Sequence, residues 1–265
     1  GGVTSRGGWS GGVLTSRARR AGGAGGLGLR GLVLGWSLWL LGTWVVLWVV
    51  GGWTMPALRV MVLAALVGMM GVWPAVRLSQ ATPTRGNLHG NDLSGSDWAR
   101  ACGWIGADWL ALNLVLQAVI WPLQLAAKWT LGQAVWLVVA TAGWSLMTGL
   151  IIAWGRGTNV ASWRSWAMVA CIGVVVLEPL LWWMGWMTGG PGSGGVGVPE
   201  MRFSPLQAVW GVSAAGTGAQ AEAAIATHRF QIITVATASL VGWVVLWALL
   251  GATVWRERAR GKRQD

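Results

Sequence analysis

The sequence predicts an all-α, polytopic integral membrane protein with six transmembrane helices, both termini inside, and a partly helical outer insertion between helices five and six. Three observations carry this. Of 265 residues, 54% are hydrophobic and only 10% charged, whereas a soluble domain carries about 25% charged residues. The apolar residues fall in six runs, each near the roughly 20 residues needed to cross a bilayer. None shows the alternation of a barrel strand, so helices remain the way to satisfy the backbone in lipid. Finally, the basic residues collect in alternate connections, as they do when charge sets topology.

Residues 1–30 are rich in Gly, Ser and Arg and hold no apolar core of signal-peptide length, so they read as a flexible basic arm. The transmembrane domain follows over 31–255. Its first span is Gly31–Val50; Gly51 and Gly52 break it, and Pro56 opens the second, Ala57–Val76. The third is Ala101–Ala126, the fourth Leu131–Trp154, the fifth Ser165–Met187 and the sixth Phe230–Trp255. Residues 256–265, RERARGKRQD, form a basic cytosolic tail suited to anionic lipid. With the N-terminus inside, fifteen of the 19 basic residues lie on the inner side; Arg59, Lys128, Arg202 and Arg229 lie outside. In a soluble chain a pI near 11.7 would point to nucleic acid. Here the placement of charge between apolar spans accounts for it, and no nucleic-acid partner is expected. The 24 Trp, beside two Phe and no Tyr, take the core and interface roles that three aromatics usually share.

Two connections are long. The inner loop, 79–100, is rich in turn residues. Its end, Ser94–Arg100, predicts a short interfacial helix with Ser94 or Ser96 as N-cap and Asp97 in the first turn. The outer insertion, 189–228, opens on GGPGSGGVGVP. Its SPLQAVWGV and Ala-rich AQAEAAIATH stretches predict two short helices lying on or dipping into the outer leaflet.

Chemistry-bearing residues are few. The chain has no phosphate loop, no GxSxG, no HExxH and no CxxC, so no enzyme activity, cofactor or metal is expected. His89 and His228 fall on opposite sides and read as solvated loop residues. Cys102 and Cys171 read as small buried residues. Asp108 and Glu178 are the only acids within spans, and an acid at membrane depth marks a candidate functional site. Asp108 lies roughly 10–12 Å past the inner interface by helical rise, within reach of an arginine such as Arg100. Glu178 lies nearer mid-membrane, and Pro179 beside it removes a backbone donor and predicts a kink. Asn113, Gln117 and Gln124 share one face of the third span, as helix-to-helix glue or as the lining of a lumen. The candidate pathway or gate residues are therefore Asp108, Asn113, Gln117, Glu178 and Pro179.

SPLQAVWGV ahead of the sixth span is similar to the SP/NP-x-x-A lead-in of the permease subunits of ABC-2-type transporters. SLVGWVVLWALLGATVWRERARG resembles their last helix with its W-R-x-R exit, and AGWSLMTGLIIAWGRGTNVASW their fourth helix and inner loop. The resemblance covers Leu131 to Arg260. Such permeases usually begin with an amphipathic interfacial helix, which residues 1–30 do not form. The resemblance implies a permease of an ATP-driven exporter in the cell membrane of a bacterium, paired with a second permease and driven by a separate ATPase subunit. The ATPase would couple through the inner loop, with Ser94, Asp97, Trp98 and Arg100 as contact residues. Two other readings stay open: an ATPase-independent carrier or channel using Glu178 and Asp108, and a structural anchor subunit of a larger membrane complex.

Overall fold

The computed structural model describes residues 28–51, 54–80, 95–157, 161–188, 204–216 and 218–261. Every regular element among them is helical: α1 (Leu29–Gly51), α2 (Met55–Val67), α3 (Trp73–Ser79), α4 (Gly95–Ala127), α5 (Leu131–Arg156), α6 (Ala161–Thr188), α7 (Pro205–Ala214) and α8 (Ala219–Gly261). Five stretches are long and apolar enough to cross a membrane: Leu29–Val50, Met55–Ser79, Trp98–Ala127, Leu131–Arg156 and Ala219–Arg256. The expected fifth span falls in α6, which is 28 residues long; its described apolar stretch, Ser162–Leu177, is shorter than the other five. Large apolar side chains such as Leu38, Val49, Leu114, Leu125, Leu240 and Val244 are exposed, a pattern that suits lipid rather than water around the bundle.

α2 and α3 form one rod, Met55–Ser79, joined by a π-helical turn over Gly68–Val72. Periodicity alone did not predict that turn, and Pro74 accounts for it. Proline has no N–H to give the Met70 carbonyl and its ring crowds the preceding turn. The wider turn, in which the Trp73 N–H reaches back to the Gly68 carbonyl, accommodates both. Gly68 also admits α1: a Cβ there would lie 2.7 Å from the rings of both Trp36 and Trp39. Those indoles donate to the Leu112 and Ala64 carbonyls, tying α1 to α4 and α2.

α4 begins at Gly95 and runs unbroken into its span, so the interfacial helix expected over Ser94–Arg100 is the first turns of the span itself. No Gly-Pro or Pro separates the two, and nothing in the backbone forces a break. α4 ends in a Schellman motif: Trp129 N–H bonds the Gln124 carbonyl, Lys128 N–H bonds Leu125, and Lys128 is left-handed at φ 52°. A capping box between Thr130 and Gln133 then starts α5.

α5 is the hub, packing on α4, α6, α7 and α8. Small residues make this possible. A Cβ on Gly143 would lie 3.0 Å from the Ala236 Cβ and 3.1 Å from its Cα, so α5 and α8 meet nearly backbone to backbone. α8 is 43 residues, about 65 Å at the α-helical rise. The Ala-rich stretch expected as a separate short helix is its N-terminal part, because no glycine or proline interrupts 219–241. The basic tail is likewise helical as far as Gly261. His228 is half-buried in α8 and packs on Gly211 of α7, in contrast to the loop residue expected. Of the arm expected over 1–30, residues 1–27 lie outside the described residues, and Leu29 and Arg30 open α1.

Candidate functional site

Three charged side chains are buried among the described residues: Arg77, Asp108 and Arg156. They converge at one end of the bundle from α3, α4 and α5. Trp73 and Arg77 are four residues apart, so the short α3 presents both on one face just past the π turn. Arg77 grips Asp108 with a two-pronged fork, Nε donating to Oδ2 at 2.5 Å and Nη2 to Oδ1 at 2.6 Å. Its Nη1 also donates to Gln80. Asp108 is fully buried. The expected partner Arg100 is exposed. Arg77 takes its place because the rod of α2 and α3 ends beside α4, whereas Arg100 lies eight residues along the same helix from Asp108, about 12 Å at the α-helical rise, and is exposed. Arg156, at the end of α5, stands within electrostatic range of Arg77, Asp108 and Arg164 without forming a hydrogen bond through its Nε.

A second polar group ties α4 to α5. Trp109 Nε1 and Asn113 Nδ2 both donate to Ser145 Oγ, at 3.0 and 3.3 Å. Asn113 Nδ2 also donates to the Trp109 carbonyl at 2.9 Å. Gln117 is half-buried, with its Oε1 unpaired. Asp108 and Asn113 are five residues apart, about 140° around a helix. One faces α3 and the other α5, so they do not form a single polar track. Trp98 donates from its indole to the Ala153 carbonyl and packs on Gly157, anchoring the start of α4 to the end of α5. Glu178 and Pro179 lie within the continuous helix α6, and their side chains fall outside the described residues, as do Ser94 and the side chain of Asp97.

The opposite end is closed by α7. Ser204 caps its first turn, accepting from the Gln207 N–H. Ala208, Val209 and Val212 are fully buried against α2, α5 and α8, so this helix dips into the bundle rather than lying on it. A helix C-terminus leaves its last carbonyls without partners. Here side chains supply them: Arg59 donates to Ala214, Trp129 to Ser213, and Gln133 Nε2 reaches Val212, Ala215 and Gly216. At this same end Arg59 lies over the Trp210 ring and Arg229 over Trp136. Between α1, α2 and α4 lies an open apolar cavity of about 610 Å³, lined by Leu40, Trp44, Met61, Val119 and Pro122 among others.

Sequence reasoning marked Asp108 and Asn113 as polar residues within a span and SPLQAVWGV as a short helix, but missed the parts taken by Arg77, Arg156 and the cap of Arg59, Trp129 and Gln133. The usable signal for Arg77 was its i, i+4 spacing from Trp73 behind a mid-helix proline. Cys102 and Cys171 are both buried and free, as expected. Among the described residues no group of His, Cys, Asp and Glu could hold a metal. Together these features define a helical membrane protein with a buried ion pair at one end and an inserted short helix at the other. Compared with known proteins, the chain matches no family model, no curated protein and no solved structure.

Proposed function

We propose that the chain is the membrane-spanning permease subunit of an ATP-driven exporter of the ABC-2 type, with a separate ATPase subunit supplying hydrolysis. In this reading the bundle has six spans, α6 being the fifth, with the Arg77 end inside and the Arg59 end outside. The observation that carries it is α7. A short, sequence-local helix plugs one end of the bundle, and its last three carbonyls, with those of the two residues after it, are held by side chains of α2, α5 and the turn before α5. Such an insert serves as an exit gate, moving with α8, to which it is bound through Gln231 Nε2 on the Ser204 carbonyl. At the other end the Trp98 anchor joins the start of α4 to the end of α5. A push from a cytosolic ATPase on the segment before α4 would reach both helices. A homodimer, or a heterodimer with a second permease, would form the path between copies.

The ATPase-independent carrier draws less support. Asp108 is fully buried and both of its oxygens accept from Arg77, so a travelling ion would have to compete with the guanidinium for that carboxylate.

The test is reconstitution. The chain is crosslinked in its native membrane, extracted in mild detergent and moved into nanodiscs, and ATP turnover is measured. A co-purifying ATPase whose turnover rises with candidate amphipathic solutes supports the reading. A chain that purifies alone and carries solute across liposomes without ATP refutes it.

A further inference from the structure

Among the described side chains, the buried charges at the Arg77 end do not balance. Asp108 gives both carboxylate oxygens to Arg77. Arg156 is only 9% exposed, and its buried Nε has no hydrogen-bond partner. Its electrostatic neighbours include Arg77, Arg164 and a single carboxylate, Asp108. Among the described side chains, three guanidiniums therefore share one acid. A buried cation without a counter-ion is costly, and two like charges nearby raise the cost.

The surroundings set the depth. Trp154 and Trp163 meet edge to face at 4.6 Å, and Trp154, Trp163 and Trp166 are all exposed. Exposed Trp on a membrane bundle collects at the headgroup level. Arg156 also ends an apolar stretch long enough to cross a membrane, Leu131–Arg156, so it and the half-buried Arg164 lie at the level where that stretch would meet lipid headgroups, at the junction of α5 and α6. A guanidinium fork matches phosphate geometry, and basic pockets between helices on the cytoplasmic side take anionic headgroups.

We propose that Arg156 and Arg164 bind a phosphate-bearing anion at the junction of α5 and α6. The phosphodiester of an anionic phospholipid and a free phosphate compound share this chemistry. A zwitterionic headgroup does not neutralise the surplus charge. The site does not depend on the transport reading: a chain that never meets an ATPase would still hold the anion.

The full chain is placed in nanodiscs of phosphatidylcholine alone or with phosphatidylglycerol added. Thermal unfolding is followed, and retained lipid is read by native mass spectrometry. In a separate arm, inorganic phosphate is titrated into the phosphatidylcholine sample. The expected result is a higher melting temperature with phosphatidylglycerol, and apparent affinity weakened about tenfold or more in Arg156→Gln and in Arg164→Gln, the size of one lost charge-assisted hydrogen bond. A response to inorganic phosphate, lost in both variants and absent with phosphatidylglycerol, supports the same site with a free phosphate compound as its ligand. Arg164 is half-buried, so Arg164→Gln carries the test should Arg156→Gln fail to fold. The proposal is overturned if the wild type responds to neither anion. It is equally overturned if the variants respond as the wild type does, or if Arg156→Gln is more stable than wild type in both lipid mixtures.

Discussion

Replacing Asp108 by Leu removes the acid while leaving Arg77 where it is. The side chains are 8% and 1% exposed for Arg77 and Asp108, so water does not take over. Two short charge-assisted hydrogen bonds are lost, and the guanidinium is left buried against Trp73 and Arg156. Breaking a buried pair from one side costs about 3–5 kcal/mol. Asp108→Asn keeps one acceptor and falls at the lower end of that range. The double variant Arg77→Met, Asp108→Leu removes both charges, and its cost should return to within about 1–2 kcal/mol of wild type, because an apolar replacement of a buried pair is often neutral. The expected coupling between the two sites is therefore about 2 kcal/mol or more. Reversible unfolding in mixed micelles, followed by far-UV circular dichroism, measures all four corners of the cycle. A single Asp108→Leu cost below about 1 kcal/mol, or additivity of the two changes, would refute the clamp. Loss of transport with unchanged stability would instead make Asp108 a pathway residue.

Gln133→Ala should loosen α7, because one amide serves its Val212 carbonyl and those of Ala215 and Gly216 just past its end. A cost of about 1–3 kcal/mol and faster hydrogen exchange over Pro205–Ala214 are expected; unchanged exchange there would contradict the cap. Gly143→Leu drives a side chain into the Ala236 backbone and should cost about 3 kcal/mol or more, at or beyond the top of the usual overpacking range, read by the same unfolding assay. Lys128→Gly should stabilise the chain by about 1 kcal/mol, since the left-handed turn at φ 52° is strained for a residue with a Cβ. Cys102 and Cys171 should resist a maleimide in the folded protein and react on unfolding, as both are fully buried.

Much of the helix layout was legible because length and hydropathy are local. Gly51, Gly52 and Pro56 divide α1 from α2, and Thr130 with Gln133 announces the start of α5. SPLQAVWGV could be read as a short helix from its Ser-Pro start. The two helices read as separate were not separate. Ser94–Arg100 and the Ala-rich stretch before Phe230 are both continuous with spans, since amphipathic or polar composition alone does not end a helix without a breaker. His228 looked solvated because nothing local records that Gly211 leaves a space for it.

By itself the sequence determined that this is a helical membrane protein, where its apolar stretches run and that Asp108 is an expensive residue. Those properties follow from transfer energies summed over neighbours in the chain. Which arginine answers Asp108 was decided only by tertiary structure. Arg100 is close in sequence but about two turns along the helix from Asp108 and exposed; Arg77 arrives from the end of the rod, past the π turn before Pro74. The same holds for α7, whose unsatisfied carbonyls find Arg59, Trp129 and Gln133 from distant parts of the chain. A hydrogen bond depends on where two groups meet in space, and sequence spacing does not carry that information.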